Sequence, residues 1–212
     1  MSLQDERREY RYGRLNRAGL HGSPATQFDR WLQQALDAGL SDATAMVLAT
    51  VDAAGQPSQR TVLLKGLDDR GLQFFTHLTS AKARDIAVNA RVSVLFPWLS
   101  MGRQVSVTAT VTQLPVAEAE AYFHSRPRDS QLAAWASDQS QPVAARQVLD
   151  DEFAAMQETY AGREIPMPAD WGGYCLAPSC WEFWQGGENR LHDRFRYTPA
   201  AAGSWQITRL AP

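Results

Sequence analysis

A chain of 212 residues, 44% hydrophobic and 10% aromatic, can bury a core without disulfide or metal staples. Its formal net charge of −2 excludes the broadly basic surface of a general nucleic-acid binder, while leaving room for local arginine clusters that hold small anions. Two cysteines, Cys175 and Cys180, without a neighbouring histidine make a poor zinc site, and no apolar run approaches the ~18 residues of a membrane span; a cytoplasmic protein with reduced thiols and no metal is expected.

Residues 1–22 are polar and arginine-rich, lack a signal-peptide core, and read as a flexible arm ahead of a single domain over 23–212. Ser23-Pro24 has the form of a helix start. Phe28, Trp31, Leu32, Ala35 and Leu36 then recur at helical spacing until Gly39. From Ala45 the period changes. Strands are predicted over 45–51, 58–65 and 71–76, with a turn at 52–55. Thr79 or Ser80 can cap a short helix running to Asn89. Strands follow over 91–98 and 103–112, the second with Val105, Val107, Ala109 and Val111 on one face. Residues 115–160 read as helical, opened by Pro115, interrupted by Pro127, and resumed over 142–160. Final strands are placed around 172–185, 193–198 and 204–209. This β, then α, then β order is an α+β pattern built on an antiparallel sheet or barrel, without the βαβ alternation of a dinucleotide fold. Four of the seven tryptophans, Trp171, Trp181, Trp184 and Trp205, fall in the last fifth of the chain, where they can pack a core or anchor an interface.

Four polar clusters point to phosphate. In WQGGENRLHDRF (184–195), an extended 190–194 would project Arg190, His192 and Arg194 to one side. In QRTVLLKG (59–66), Arg60 and Lys65 suit phosphate as a fork and a point charge. Five positions apart, they share a site only if Lys65 lies at the strand end or past a bulge. In YFHSRPRDSQ (122–131), Tyr122, Arg126 and Ser130 recur every four residues and roughly share a helix face across Pro127. In THLTSAKARD (76–85), a Thr/Ser turn before a helix offers free backbone N–H groups, and Lys82 adds charge. Each has a plainer structural reading: a solvated strand face, edge cations, a helix break, an ordinary cap. With no Walker loop, no GxGxxG and no His/Cys metal cluster, the set together fits phosphorylated small molecules.

The segments RTVLLKG, ARVSVLFPW, RQV, YFHSRPRDSQLAAWAS, FWQGGENRLHDRF and RLAP closely resemble bacterial pyridoxamine 5′-phosphate oxidases, in order and over nearly the whole chain. The resemblance implies an FMN-binding split β-barrel with flanking helices, working as a homodimer with two FMN sites at the subunit interface. It implies oxidation of pyridoxamine 5′-phosphate and pyridoxine 5′-phosphate by dioxygen to pyridoxal 5′-phosphate, releasing hydrogen peroxide, and ammonia from the amine. FMN contacts would map to Arg60, Thr61, Val62, Leu63, Leu64, Lys65, Phe75, Thr76, Lys82, Gln104, Gln139, Ser140, Trp184 and Arg194. Substrate contacts would map to Lys65, Tyr122, Arg126, Ser130, Arg190 and His192, the last two also catalytic, and to the arm residues Arg7, Arg8, Glu9 and Tyr10. The chain departs from this pattern at Ala81, where relatives often carry a second basic residue, and has Phe75 where tyrosine is also found. The rival readings are a split-barrel oxidase of another ring, such as a phenazine precursor, and a non-catalytic flavin or pyridoxal-phosphate carrier.

Overall fold

The computed structural model describes Ser2, Glu9, Tyr10 and residues 12–212. The chain runs α1 (Pro24–Asp37), β1 (Ala45–Val51), β2 (Pro57–Leu63), β3 (Gly66–Asp68), β4 (Gly71–His77), α2 (Ala81–Val88), β5 (Arg91–Trp98) and β6 (Arg103–Gln113). It continues through α3 (Val116–Ser125), α4 (Arg128–Trp135), α5 (Arg146–Thr159), β7 (Trp171–Gln185), β8 (Asp193–Pro199) and β9 (Trp205–Leu210). All nine strands join one antiparallel sheet in the order β2-β1-β5-β6-β7-β4-β3, with β8 on β7 and β9 on β8.

The sheet curls because β2 and β3 are nearly continuous. Lys65, between them, donates its N–H to the Gln73 carbonyl on β4 at 2.8 Å and brings the two ends of the sheet together. Along β7 one edge pairs with β6 over 174–185, while the other changes partner: 171–176 pairs with β4, and 181–185 with β8. The change falls at Pro178, which has no N–H to give a ladder, and at a bulge where the β6 register skips Ser179. This splits the barrel, as expected of an α+β split-barrel fold.

Side-chain alternation fills the interior. Val92, Val94, Phe96 and Trp98 of β5, Val105, Val107, Ala109 and Val111 of β6, and Trp181, Phe183, Phe195 and Tyr197 of β7 and β8 are all buried. Helix α1, capped where the Thr26 N–H reaches Ser23 Oγ at 3.4 Å, lays Phe28 against Phe96, Trp98 and Trp181, and Trp31 against Phe183. The first half of β7 is buried on both faces. Its outer face meets a second cluster in which Ala119, Phe123, Leu132, Ala134 and Ile165 surround Trp171. Trp171 and Trp181 are thus core residues, whereas Trp184 and Trp205 remain partly exposed.

The strand and helix boundaries predicted from pattern are close to those observed, with two differences. The three-residue β3 is too short to show a period. Residues 190–194 are not a continuous strand: Glu188–Arg190 form a 3-10 turn with Asn189 and Arg190 at φ of 55° and 63°, and β8 starts at Asp193. Two glycines in the preceding turn allow the chain to fold back there, so Arg190 does not share a strand face with His192 and Arg194.

Gly71 opens β4 at φ +139°, and a β-carbon there would stand 1.9 Å from the Leu176 carbonyl oxygen of β7. The β4–β7 seam cannot close around a side chain at this position. Gly71→Ala is expected to destabilise the protein by roughly 2–4 kcal/mol in chemical denaturation; an unchanged midpoint would show that the seam is not closed this tightly in solution.

Candidate active site

Two groups of polar residues lie on the outside of the barrel. The first lines a cleft of about 570 Å³ between β2, β4, α2 and the α3–α4 corner: Thr61, Val62, Leu63, Lys65, Phe75, Thr76, Lys82, Tyr122, Arg126, Ser130 and Gln139 all contribute. Strand β2 ends at Leu63, so Lys65 lies past the strand end. That is the condition under which it can join a site with residues of β2. Thr61 and Leu63 are exposed, Val62 is half-buried but still reaches the lining, and Arg60 does not.

Lys82 is buried at the start of α2, yet its partners are all neutral. Its ammonium donates to Thr76 Oγ1 at 2.9 Å, Gln139 Oε1 at 3.0 Å and Ser80 Oγ at 3.3 Å. Burial, and then the nearby Arg60 charge, hold its pKa down at about 8 against an ordinary 10.5. Ser80 occupies the N-cap position of α2, but its side chain makes no capping bond.

Arg126 is similar. It caps the C-terminal end of α3, where Pro127 breaks the helix, and its guanidinium lies over the Trp171 ring at 5.0 Å. Its Nη1 is buried without a hydrogen-bond partner. Burial pushes its pKa down, offset in part by Tyr122. Tyr122 stacks on Phe75 at 3.9 Å between ring centroids, and Phe75 on Trp171 at 5.6 Å, giving the cleft a flat aromatic wall. A buried guanidinium nitrogen and a buried ammonium, both facing a cleft without a carboxylate among its lining residues, are what a bound phosphate would satisfy.

Several expected cofactor residues lie apart from this lining. Arg60 is held by Thr50 Oγ1 and Ser58 Oγ, each at 2.6 Å, with Asp85 at 3.6 Å. Leu64 is in the barrel core, and Ser140 is exposed with φ +74°. Ala81 stands at the first position of α2, beside Lys82, and Arg84 donates to the Thr79 carbonyl at 2.6 Å.

The second group is centred on the far half of β7. Gln104, Trp184 and Arg194 are directly paired neighbours across β6, β7 and β8, on the face opposite the core. Arg194 is bound to Glu182 Oε1 through Nε at 2.9 Å and Nη2 at 2.7 Å. The His192 ring packs 4.7 Å from Trp184, and its Nδ1 accepts the Gly187 N–H at 3.1 Å, which leaves Nε2 to carry the ring proton in the neutral form. Tyr10 sets its ring edge against both His192, at 5.4 Å, and Trp184, at 5.5 Å. Glu9 and Arg190 are exposed. Arg7 and Arg8 lie outside the described residues.

Thr76 pairs with Gly172, and Gln104 with Trp184, twelve residues further along β7. At ~3.3 Å per residue that is up to roughly 40 Å of extended chain. The cleft lining includes none of Gln104, Trp184, Arg190, His192 or Arg194.

Six lining residues were not foreseen, Pro127, Ala133, Ala134, Ser137, Trp171 and the titratable His77. His77 is buried, its Nδ1 has no hydrogen-bond partner, and Asp170 Oδ2 is 3.6 Å away. It ends the strand next to Thr76. Alternation alone sends it to the other face, so the only signal was its place in the THLTSAKARD segment.

Comparison with known proteins fits this geometry. The family description "Pyridoxamine 5′-phosphate oxidase" matches residues 32–160, and "Pyridoxine 5′-phosphate oxidase C-terminal dimerisation region" matches residues 171–212. The chain is 54% identical over 210 residues to the pyridoxine/pyridoxamine 5′-phosphate oxidase of Shewanella frigidimarina, covering 99% of each chain. It is 55% identical over 212 residues to that of Teredinibacter turnerae, covering 100% of each. Among solved structures, PhzG from Burkholderia lata in complex with tetrahydrophenazine-1-carboxylic acid is similar at a TM-score of 0.88 and 30% identity, over 95% of this chain and 99% of that one. The identities run over full length and the family match spans the cleft, so the chain belongs to the pyridoxamine 5′-phosphate oxidase family.

Proposed function

We propose that the chain is an FMN-dependent enzyme that oxidises pyridoxine 5′-phosphate and pyridoxamine 5′-phosphate to pyridoxal 5′-phosphate, with dioxygen as acceptor, hydrogen peroxide as product and ammonia released from the amine. The observation that carries this reading is the cleft with two desolvated cations, Lys82 and Arg126, that no acidic side chain pairs. Each suits one phosphate: Lys82, with Thr76 and Gln139, that of FMN; Arg126, with Lys65, Tyr122 and Ser130, that of the substrate. Bound FMN would supply the two-electron redox chemistry between the 4′ carbon of the substrate and dioxygen.

The protein's part is position and charge. Arg126 and Lys65 would fix the phosphate end of the substrate, and the Phe75–Tyr122–Trp171 wall would exclude water beside it. Arg190 and His192 would orient the ring and its reacting substituent, with His192 offering an N–H at Nε2. The cleft lining includes no residue of the Gln104–Trp184–Arg194 row, which is carried on the other half of β7. We therefore place each complete site between two copies of the chain, the cleft from one and the row from the other. A two-fold dimer repeats the contact and makes two such sites. Tyr10, seated on His192 and Trp184, would carry the arm over the site, with Arg7, Arg8 and Glu9 beside it. Two unpaired cysteines suit a reducing, cytoplasmic setting.

The likeness to PhzG keeps a second reading in view, an oxidase of a tricyclic ring bearing a carboxylate. The paired phosphate provision, at Lys82 and at Arg126, favours the phosphorylated substrate. With FMN-loaded protein, pyridoxine 5′-phosphate should give aldehyde absorbance and peroxide in equal amounts. Arg126→Ala should lower kcat/KM by about 2 kcal/mol or more. Turnover of a dihydrophenazine carboxylate without turnover of pyridoxine 5′-phosphate would overturn the assignment, and flavin binding with neither activity would make the chain a carrier.

Lys82 gives a prediction with a defined sign. Between pH 8 and 10.5 the unfolded chain holds a proton that folded Lys82 has released, so cofactor-free protein gains stability as pH rises through that window, and the full cost is present below it. Lys82→Met should therefore raise the melting temperature of the cofactor-free protein at pH 7 by about 2–4 °C, with the gain fading towards pH 10.5. The same change should weaken FMN binding at least about tenfold. A variant that melts lower and binds FMN as well as wild type would remove Lys82 from the phosphate site.

A further inference from the structure

The junction between β4 and α2 holds a buried imidazole to which the phosphate contacts above give no task. His77 is the last residue of β4 and pairs with Trp171, the first of β7. Its side chain is 8% exposed, and Nδ1 is buried without a hydrogen-bond partner. The group facing that nitrogen is the Asp170 carboxylate, with Oδ2 at 3.6 Å. A carboxylate only accepts, so the arrangement calls for the ring proton on Nδ1. The other ionised residues lining the cleft, Lys65, Lys82 and Arg126, are cations and offer His77 no acceptor.

Asp170 in turn holds the loop from which α2 starts. Thr79 Oγ1 donates to the same Oδ2 at 3.1 Å, and the Leu78 N–H donates to the Asp170 carbonyl at 2.6 Å. The Ser80 N–H donates to the His77 carbonyl at 3.2 Å. Ser80 makes no side-chain capping bond, so α2 lacks the contact that ordinarily fixes a helix start. Its first turn is set from outside instead, by Asp170 on one side and by Arg84, which donates to the Thr79 carbonyl at 2.6 Å. The loop also packs directly on β7, where a β-carbon on Gly172 would stand 2.9 Å from Leu78 Cδ2. Lys82 leaves α2 one residue after the helix begins, so the placing of this turn decides where its ammonium points.

We propose that His77 is a positioning residue for the cofactor phosphate: through its Nδ1–H it holds the Asp170 carboxylate against Thr79 and thereby fixes the turn that presents Lys82. The Asp170 side chain is 42% exposed, so without His77 its carboxylate is free to turn to water and release Thr79. The bond forms when the two atoms come roughly 0.8 Å nearer, to a charge-assisted distance. The proposal rests on the reading above that Lys82 meets the phosphate of FMN.

The test is titration of cofactor-free, full-length protein with FMN and with riboflavin, which lacks the phosphate, followed by quenching of flavin fluorescence. His77→Leu and Asp170→Ala should each weaken FMN by roughly five- to tenfold, and the double variant should fall no further than the weaker single one, because both remove the same contact. His77→Asn, which keeps an N–H donor near the position of Nδ1, should bind FMN within about twofold of wild type. Riboflavin affinity should stay the same in all of them; a merely structural loss would weaken both flavins together. Lys82→Met separates the proposal from the reading beneath it. If that change leaves FMN binding intact, the phosphate is not at Lys82, and the reading and the proposal both fall. If Lys82→Met weakens FMN while His77→Leu and Asp170→Ala do not, or if these two weaken riboflavin as much as FMN, the reading stands and the role of His77 is overturned. His77→Asn as weak as His77→Leu overturns it too, since the donor would then not be what matters.

Discussion

Strand β7 has to serve two partners on one edge, and the rest of the molecule is arranged around that constraint. Its first half pairs with β4 and is buried on both faces; its second half pairs with β8 and turns one face outward. Pro178 and the bulge at Ser179 make the change possible, because a ladder position without a donor, next to an extra residue, costs little where no partner is waiting. Everything chemically notable hangs on one half or the other. The cleft forms where α3 and α4 close over the first half, and the Gln104–Trp184–Arg194 row forms on the second. The strand that unites the core also keeps the two groups apart, and that separation is the physical ground for a site completed by a second subunit.

Charge is distributed by the same logic. Away from the cleft, several cations have acids: Arg70 bridges Asp68 and Glu118, Arg194 and Arg196 share Glu182, and Arg209 takes Asp193. Within the cleft Lys82 and Arg126 have none. A buried cation without an anion is costly, and a fold tolerates it where a ligand supplies the missing charge. Arg60 stands between the two regimes, close enough to depress Lys82 but itself tied to Asp85 and Thr50. Position 81 adds no charge of its own, so Lys82 carries the cationic contact at the start of α2 in this chain.

Much of this was legible in the sequence. Period-two runs such as 91–98 and 103–112 became β5 and β6 almost residue for residue, because alternation against a barrel interior is a strong constraint. Pro115 opens α3 and Pro127 interrupts the helical run, as read, and Tyr122, Arg126 and Ser130 meet in the cleft although Pro127 puts them on two helices. What could not be read were features set by tertiary closure. β3 exists only because β4 is beside it, and His77 is in the cleft only because the strand ends there. The stretch 190–194 misled for a different reason: alternating Arg-x-His-x-Arg looks like a strand face, but a Gly-Gly turn and two left-handed residues precede β8. Spacing showed which residue types gather, and only the folded chain shows that they gather in two places.

The most direct test of that division is subunit complementation. One variant carries Lys82→Met with Arg126→Ala, disabling the cleft; the other carries His192→Ala with Arg194→Ala, disabling the row. Each homodimer should be inactive with pyridoxine 5′-phosphate. Mixed dimers, formed by co-expression and isolated by two affinity tags, should recover about half the wild-type activity and one tightly bound FMN per dimer, because one of the two sites then joins the intact cleft of one chain to the intact row of the other. Mixed dimers as inactive as their parents would mean that cleft and row act within a single chain, and the account of a site shared between subunits would be wrong.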